Sequence, residues 1–297
     1  MNSLQRHSQA RIVLMWSLQA QFSGYALARR AVPEIELVPR PAATTPIEEI
    51  VAGRAEFAIA SPSHMLAAGD VGRDVLLAAL IMPRSPIVGA ARGGTPGAML
   101  KGARGLRIGV WASEDAEIRA MMIKAGANPD DNEFIPVGDD VTPLVRGEID
   151  VLQATTYNEV PLLVAAGLPL DEMVLHRPDD YGVGTAKDGL VVHRRLVEEN
   201  PSLVHAVVDA VVGGWQATLA DPAAAIAEVC GLVPTLDPAV QQAQLAIILG
   251  LIDPERPLGM PLPEDLMRAV EVHKTLGRSV SSSDIAILTH EWGAAGA

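Results

Sequence analysis

Short apolar runs alternate with longer amphipathic ones over the first two-thirds of the chain. Ile12–Met15, Glu36–Val38 and Phe57–Ala60 read as β-strands separated by helical segments, and Val75–Ile81 and Pro86–Ala91 as two more. Thr45-Pro46-Ile47-Glu48 is a helix start with a mechanism. Thr45 can cap, Pro46 suits the first helical position and Glu48 can close a capping box. The run Arg92-Gly93-Gly94-Thr95-Pro96-Gly97 then reads as a linker. Beyond it a second series begins, with strands at Leu106–Val110, Glu133–Val137 and Ile149–Ala154. Its helices fall near Asp115–Ala125, Val141–Arg146 and Val160–Ala166. A second crossover is expected around Tyr181–Gly189, before a last strand at Leu190–His193. From Pro201 the pattern is helical; Gly213-Gly214 punctuates one helix and Asp221-Pro222 starts another.

Strands alternating with helices predict an α/β protein with mostly parallel sheets. Two series joined by two crossings predict two lobes, residues 1–92 with 190–297 and residues 93–189, the helical tail belonging to the first. Ligands bind beyond the carboxyl ends of strands in such sheets, and domain interfaces are favoured sites. The expectation is a small organic ligand held in a cleft between lobes that hinge at glycine-rich crossings.

Six of the ten aromatic residues stand where strands end or in loops: Trp16, Phe22, Tyr25, Trp111, Tyr157 and Tyr181. A single such ring most simply plugs a loop onto the core. Six together point to a flat ligand held between aromatic faces.

Charge narrows the partners. The net charge of −13 argues against nucleic acid and against an anionic membrane surface. No uninterrupted apolar run approaches the roughly 20 residues of a membrane span, so direct membrane insertion is not expected. Cys230 is the single cysteine, which excludes disulfides within the chain and thiolate metal clusters. Residues 1–7 carry no apolar core of signal-peptide type. That leaves two expectations open: a cytoplasmic protein, or a periplasmic or extracellular-facing one whose export signal has been removed. No phosphate loop, nucleophile elbow or His-Glu-x-x-His pair is present, so neither cofactor nor metal is expected.

Particular segments carry a resemblance. Glu199-Asn200-Pro201-Ser202-Leu203-Val204, Gly214-Trp215-Gln216-Ala217 with Ala220-Asp221-Pro222, Ala52–Ala58, Tyr157-Asn158-Glu159-Val160-Pro161 and Asp180-Tyr181-Gly182-Val183 are similar to motifs of one family. The chain resembles the type II periplasmic substrate-binding proteins of ABC transporters, in the branch that includes thiamine-pyrimidine-precursor binders. Sulfonate, taurine and nitrate binders are more distant relatives. The likeness runs from about Arg11 to about Thr275. It implies a two-lobed periplasmic-binding-protein-like fold, a pyrimidine-type or other amino-bearing heterocyclic ligand, and an ABC transporter permease as partner. Two departures stand out: Met15-Trp16-Ser17-Leu18-Gln19 keeps only the Trp of the motif after the first strand, and Arg29–Pro33 replaces a longer family segment. Fungal-type hydroxymethylpyrimidine phosphate synthase shares the fold, and His64 matches a histidine of its motif. Ala60 stands where that enzyme has lysine, and its cysteine cluster is missing near Gly184–Leu190.

The candidate ligand residues are Trp16, Phe22, Tyr25, Ser61, Ser63, His64, Trp111, Glu114, Asp115, Tyr157, Glu159, Tyr181 and Asp188. Each has a structural alternative. Glu114, Asp115 and Glu159 suit helix starts, Ser61, Ser63 and His64 lie at a strand-to-helix turn, and Asp188 suits a turn. This set is rich in carboxylates and poor in Lys and Arg, which favours an amino-bearing ligand over a sulfonate or nitrate. An importer's binding protein is the leading reading. A cytoplasmic enzyme of the same fold, decarboxylase-like or pyrimidine-synthase-like, and a cytosolic ligand sensor are the alternatives.

Overall fold

A computed structural model describes residues 10–111, 115–281 and 284–285. The chain divides into two compact units. The first comprises Met1–Pro83, Lys187–Leu266 and Ser281–Ala297, and the second Arg84–Ala186 and Met267–Val280.

The first unit is built on the strands β1 (Ala10–Val13), β2 (Ile35–Val38), β3 (Phe57–Ala60) and β4 (Val75–Met82), with β10 (Lys187–His193) returning from the second unit. Their order is β2-β1-β3-β10-β4. β1 pairs parallel with β2 and β3, while β10 runs antiparallel to both β3 and β4. Helices α1 (Ser23–Ala28), α2 (Pro46–Val51), α3 (Pro62–Ala67), α7 (Arg194–Glu199), α8 (Pro201–Ala220), α9 (Pro222–Leu232) and α10 (Pro238–Leu249) belong to it. All eight residues of β4 are buried, as its unbroken apolar sequence requires. It is an edge strand, but Leu80 N–H donates to Gly259 O at 2.9 Å, so a returning segment covers that edge.

The second unit holds β5 (Ile87–Arg92), β6 (Arg107–Val110), β7 (Glu133–Pro136), β8 (Val151–Thr155) and β9 (Met173–His176) in the order β7-β6-β8-β5-β9. β6 pairs parallel with β7 and β8, and β5 runs antiparallel to β8 and β9. Its helices include α4 (Ala116–Lys124), α5 (Thr142–Val145) and α6 (Glu159–Ala165). Val88, Leu144, Ile149, Leu152, Ala154 and Leu163 form its apolar centre. The last helix, α11 (Pro263–Thr275), spans the division of the chain. Each sheet thus has one strand opposed to the rest, so half of the strand pairings are antiparallel and both sheets are mixed, where the sequence reading expected mostly parallel ones.

Boundaries depart from the sequence reading at three places. The first crossover lies at Pro83/Arg84, ahead of the glycine run at 92–97, because β5 hydrogen-bonds to β8 and β9 of the second sheet. The return lies at Ala186/Lys187, and Met267–Val280 of the helical tail groups with the second unit. β9 has no distinct sequence signal, being four residues between prolines at 169 and 178.

Gly213-Gly214 does not interrupt its helix. α8 runs unbroken for 20 residues and is long and apolar enough, by length and composition alone, to cross a membrane. Its apolar side is spent within the first unit: Val204, Val207, Val211 and Trp215 are buried, and Trp215 meets Tyr25 of α1 edge to face at 6.2 Å.

The capping box at Thr45 forms as expected. Glu48 N–H donates to Thr45 Oγ1 and Thr45 N–H to Glu48 Oε2, at 3.3 and 2.7 Å. The next residue, Glu49, accepts from Arg54 through both carboxylate oxygens and from Thr44 Oγ1. The Arg54 hydrogen bonds hold its acid well below the usual range, at about 2. A depressed folded value stabilises the protein above the unfolded value and is lost as pH falls through the folded one. Wild type is therefore expected to lose stability between about pH 4.5 and 2 by a component that Glu49→Gln lacks. Urea melts of both proteins across that window check it, and parallel pH profiles would refute it.

Candidate functional site

Strand register determines which side chains share an edge of each sheet. In the first unit, β1, β2 and β3 all point their carboxyl ends the same way, and β10 begins at that edge because it is antiparallel. Residues following β1 and β3, and the first residues of β10, therefore converge. Trp16 lies just past β1, Ser61 follows β3, and Asp188 immediately precedes Gly189, the partner of Ala60.

Ser61 caps α3. His64 N–H donates to Ser61 Oγ at 3.1 Å, and Ser61 N–H donates to His64 Nδ1 at 3.0 Å. A backbone N–H can only donate, so Nδ1 is the acceptor and the ring proton sits on Nε2. Ser61 and Ser63 are buried and His64 half-buried. The sequence Ser-Pro-Ser-His thus builds a capping box with histidine in the place usually taken by Glu or Gln.

Asp188 is buried, and its carboxylate accepts twice from Gln21 Nε2, at 3.1 and 2.9 Å. Its φ of 53° puts a non-glycine residue in the left-handed region. Such a conformation costs on the order of 1 kcal/mol or more and persists where the surroundings over-determine it. Gln21 supplies that constraint. Its own segment is held in turn by Gln241 of α10, whose Oε1 accepts from Ala20 N–H at 2.7 Å.

Phe22 and Tyr25 take a different place from the one expected. Both are fully buried and pack edge to face with each other at 6.4 Å, and Tyr25 again with Trp215. They are core rings of the first unit. The Tyr25 hydroxyl has no hydrogen-bond partner among the described residues. Burial, then the charge of Asp188, pushes its pKa well above the ordinary tyrosine value, so it stays protonated. Trp16, by contrast, is half-buried, and the Arg40 guanidinium lies 5.2 Å from its ring centre.

In the second unit, β6, β7 and β8 end at one edge, and β5 begins there. Trp111 follows β6; it is buried, and its backbone N–H donates to Gln153 Oε1 at 3.2 Å. Tyr157 follows β8 and is 3% exposed. Glu159, at the start of α6, turns its carboxylate onto its own turn. It accepts from Thr155 N–H, Thr155 Oγ1 and Asn158 Nδ2 at 2.7, 2.6 and 2.8 Å. Asp115 pairs with Arg119 one helical turn on, at 2.6 Å. Glu114 lies outside the described residues.

Tyr181 reaches the same unit through His176. His176 Nε2 is 2.9 Å from Gly97 O, which can only accept, so Nε2 carries the proton and Nδ1 accepts from the Tyr181 hydroxyl at 3.2 Å. Burial raises the pKa of that hydroxyl above the ordinary tyrosine value, with a smaller push from Asp180.

Glu117, which sequence reasoning missed, is the most enclosed carboxylate of this group at 2% exposed. Its Oε1 accepts from Thr185 N–H and Oγ1 at 2.7 and 3.0 Å, and its Oε2 from Ser85 Oγ at 3.1 Å. Ser85 stands just after one crossover and Thr185 just before the other. One side chain in the first turn of α4 therefore ties down the roots of both connections. No local motif announces it, because its partners lie 32 and 68 residues away.

These contacts change the electrostatic expectation. Asp188 and Glu159 spend their oxygens on Gln21, Thr155 and Asn158, and Asp115 on Arg119. The carboxylates counted from sequence are occupied, while an arginine, Arg40, stands beside Trp16. Its position two residues past β2 was the available signal.

Among solved structures, the chain is similar to the alkanesulfonate-binding protein SsuA from Xanthomonas axonopodis pv. citri bound to MOPS. Identity is 17%, coverage 91% of this chain and 92% of that one, and TM-score 0.67. The periplasmic aliphatic sulphonate binding protein SsuA from Escherichia coli is 15% identical, with coverage of 94% and 90% and a TM-score of 0.65. A Candida albicans protein described as having the generic periplasmic binding protein fold is 12% identical, with 93% of each chain covered and a TM-score of 0.67. At such identities the likeness is one of fold. No curated protein matches in sequence. The profile described as NMT1/THI5 like matches residues 34–225, most of the chain, and the protein belongs to that family, with a type II periplasmic-binding-protein fold.

Proposed function

We propose that the protein is the substrate-binding component of an ABC-type importer, working in the periplasm with a transporter permease. The observation that carries this reading is the carboxyl edge of the first sheet. A half-buried Trp16 stands there on the same edge as the capped Ser61–His64 turn and the strained Asp188, whereas Phe22 and Tyr25 are sealed in the core. A half-buried indole beside ordered polar groups suits a small organic molecule with a planar ring. A pyrimidine-type or other heterocyclic ring fits that description. Family membership and the fold of sulfonate-binding proteins support the transport role.

The test begins with native mass spectrometry for a retained ligand, then a thermal-shift screen of aminopyrimidines, thiamine fragments and aromatic sulfonates. At about 100 times its dissociation constant a ligand stabilises by about 2.7 kcal/mol. Trp16→Ala is expected to weaken binding by about 1–3 kcal/mol with an unchanged melting curve in the absence of ligand. Tyr157→Ala, at a buried ring, is expected to lower the melting temperature itself. Calorimetry showing undiminished affinity in Trp16→Ala would remove the stacking role.

A further inference from the structure

We propose that β2 is the contact strand of a homodimer: its free edge pairs antiparallel with the same strand of a second copy, about a two-fold axis at Leu37. The inference goes beyond the transport reading and does not depend on the ligand. β2 ends the first sheet, and at the opposite end the β4 edge is already covered by the bridge from Leu80 to Gly259. A groove of about 580 Å³ follows β2, with Leu18, Arg29, Ile35, Leu37, Pro39 and Leu232 in its lining. Leu37 and Leu232 are only half-buried.

The backbone of β2 fits that pairing. Glu34 O accepts from Ala10 N–H at 3.2 Å and Val38 O from Leu14 N–H at 2.8 Å, so the even-numbered residues turn their backbone groups toward β1. Alternation then points those of Ile35 and Leu37 outward. Ile35 is already satisfied: its N–H donates to Val32 O at 3.1 Å and its carbonyl accepts from Arg29 Nε at 3.4 Å. Leu37 is left with an outward N–H and C=O. A two-fold axis there lets the two copies exchange both bonds, as a hydrogen-bonded antiparallel pair does. The same register sets Ile35 opposite Pro39, which has no N–H, so no backbone donor is buried unpaired.

Side chains select a second copy over an arbitrary strand. Further out, the same register sets Glu34 of each copy opposite Arg40 of the other. Glu34 is exposed and makes no ion pair among the described residues. Arg40 meets the Trp16 ring and likewise makes no ion pair among them. Pro41 keeps its backbone extended, in line with the strand. The symmetric pairing thus gains an opposite-charge contact at each end, which offsets the repulsion between two chains of net charge −13. Glu36 falls opposite Val38, so no like charges meet. Pro33 and Pro39 bracket the strand and limit strand addition to this short stretch. A two-fold pairing also closes on itself and does not extend into a fibre.

The experiment is sedimentation equilibrium of the full chain at concentrations up to about 100 µM, with hydrogen exchange read at Leu37 N–H. Wild type should form a dimer in which the Leu37 amide is protected, and dilution to monomer should remove that protection. Glu34→Lys and Arg40→Glu each set like charges opposite one another. Each should raise the dimer dissociation constant at least roughly tenfold. The double variant Glu34→Lys/Arg40→Glu restores opposite charges and should return the constant to within about threefold of wild type. Circular dichroism confirms the fold of each variant. A wild type that stays monomeric across the range, or single variants that dimerise as wild type does, overturns the proposal. So does a Leu37 amide protected only when an unrelated extended peptide is added, which assigns the edge to a peptide partner.

Discussion

Alanine at Gly214 is expected to destabilise the protein by about 3 kcal/mol, while alanine at the adjacent Gly213 stabilises it slightly. A methyl group at Gly214 would lie 2.0 Å from Gly24 O and 2.9 Å from Ala28 N. Both are backbone atoms of or beside α1, so no rotamer change relieves the overlap, and α1 and α8 would have to separate. Separation would also loosen Trp215, whose ring occupies the space over Gly24. At Gly213 a methyl group meets nothing within 4 Å. There the substitution only raises helix propensity, by up to roughly 1 kcal/mol. Thermal melts of the two variants check the opposite signs; for a unit of this size the Gly214 change corresponds to a fall of roughly 6–12 °C. Equal melting temperatures would show that the two helices tolerate wider spacing.

Removing the Glu117 carboxylate should have a comparable effect. Glu117→Ala deletes the acceptor for two donors of Thr185 and one of Ser85, and leaves the buried Thr185 N–H without that partner. Charge-assisted hydrogen bonds and an orphaned buried amide together predict a loss of about 3 kcal/mol. Glu117→Gln keeps one oxygen for Thr185 and can donate to Ser85 Oγ, so its expected cost is roughly 1 kcal/mol. Urea denaturation gives the stabilities, and hydrogen exchange at Thr185 N–H reports the local loss. An Ala variant as stable as wild type would mean that the two chain crossings are held by other contacts.

Local pattern alone was enough for the strands β1 to β8 and β10, for the capping box at Thr45 and for the two-unit organisation, because each depends on residues close in sequence. Periodicity, caps and turn residues are read within a few positions. The strand-end placement of Trp16 and Ser61 was legible for the same reason, since strand ends are local features, whereas Asp188, expected in a turn, lies inside β10 and reaches that edge because β10 runs antiparallel. Tertiary structure decided what those side chains do. Phe22 and Tyr25 look like Trp16 in sequence, a ring near the end of a strand, yet both are fully buried, Tyr25 against Trp215 some 190 residues on and Phe22 against Tyr25. Gly213-Gly214 reads as a break until α1 is placed against α8. The carboxylate of Asp188 reads as a ligand acceptor until Gln21, 167 residues away, is brought to it. Glu117 and Arg40 gain their significance from partners that no spacing rule connects. Hydrogen bonding and burial are properties of neighbours in space, and a linear pattern states only which residues are able to take part.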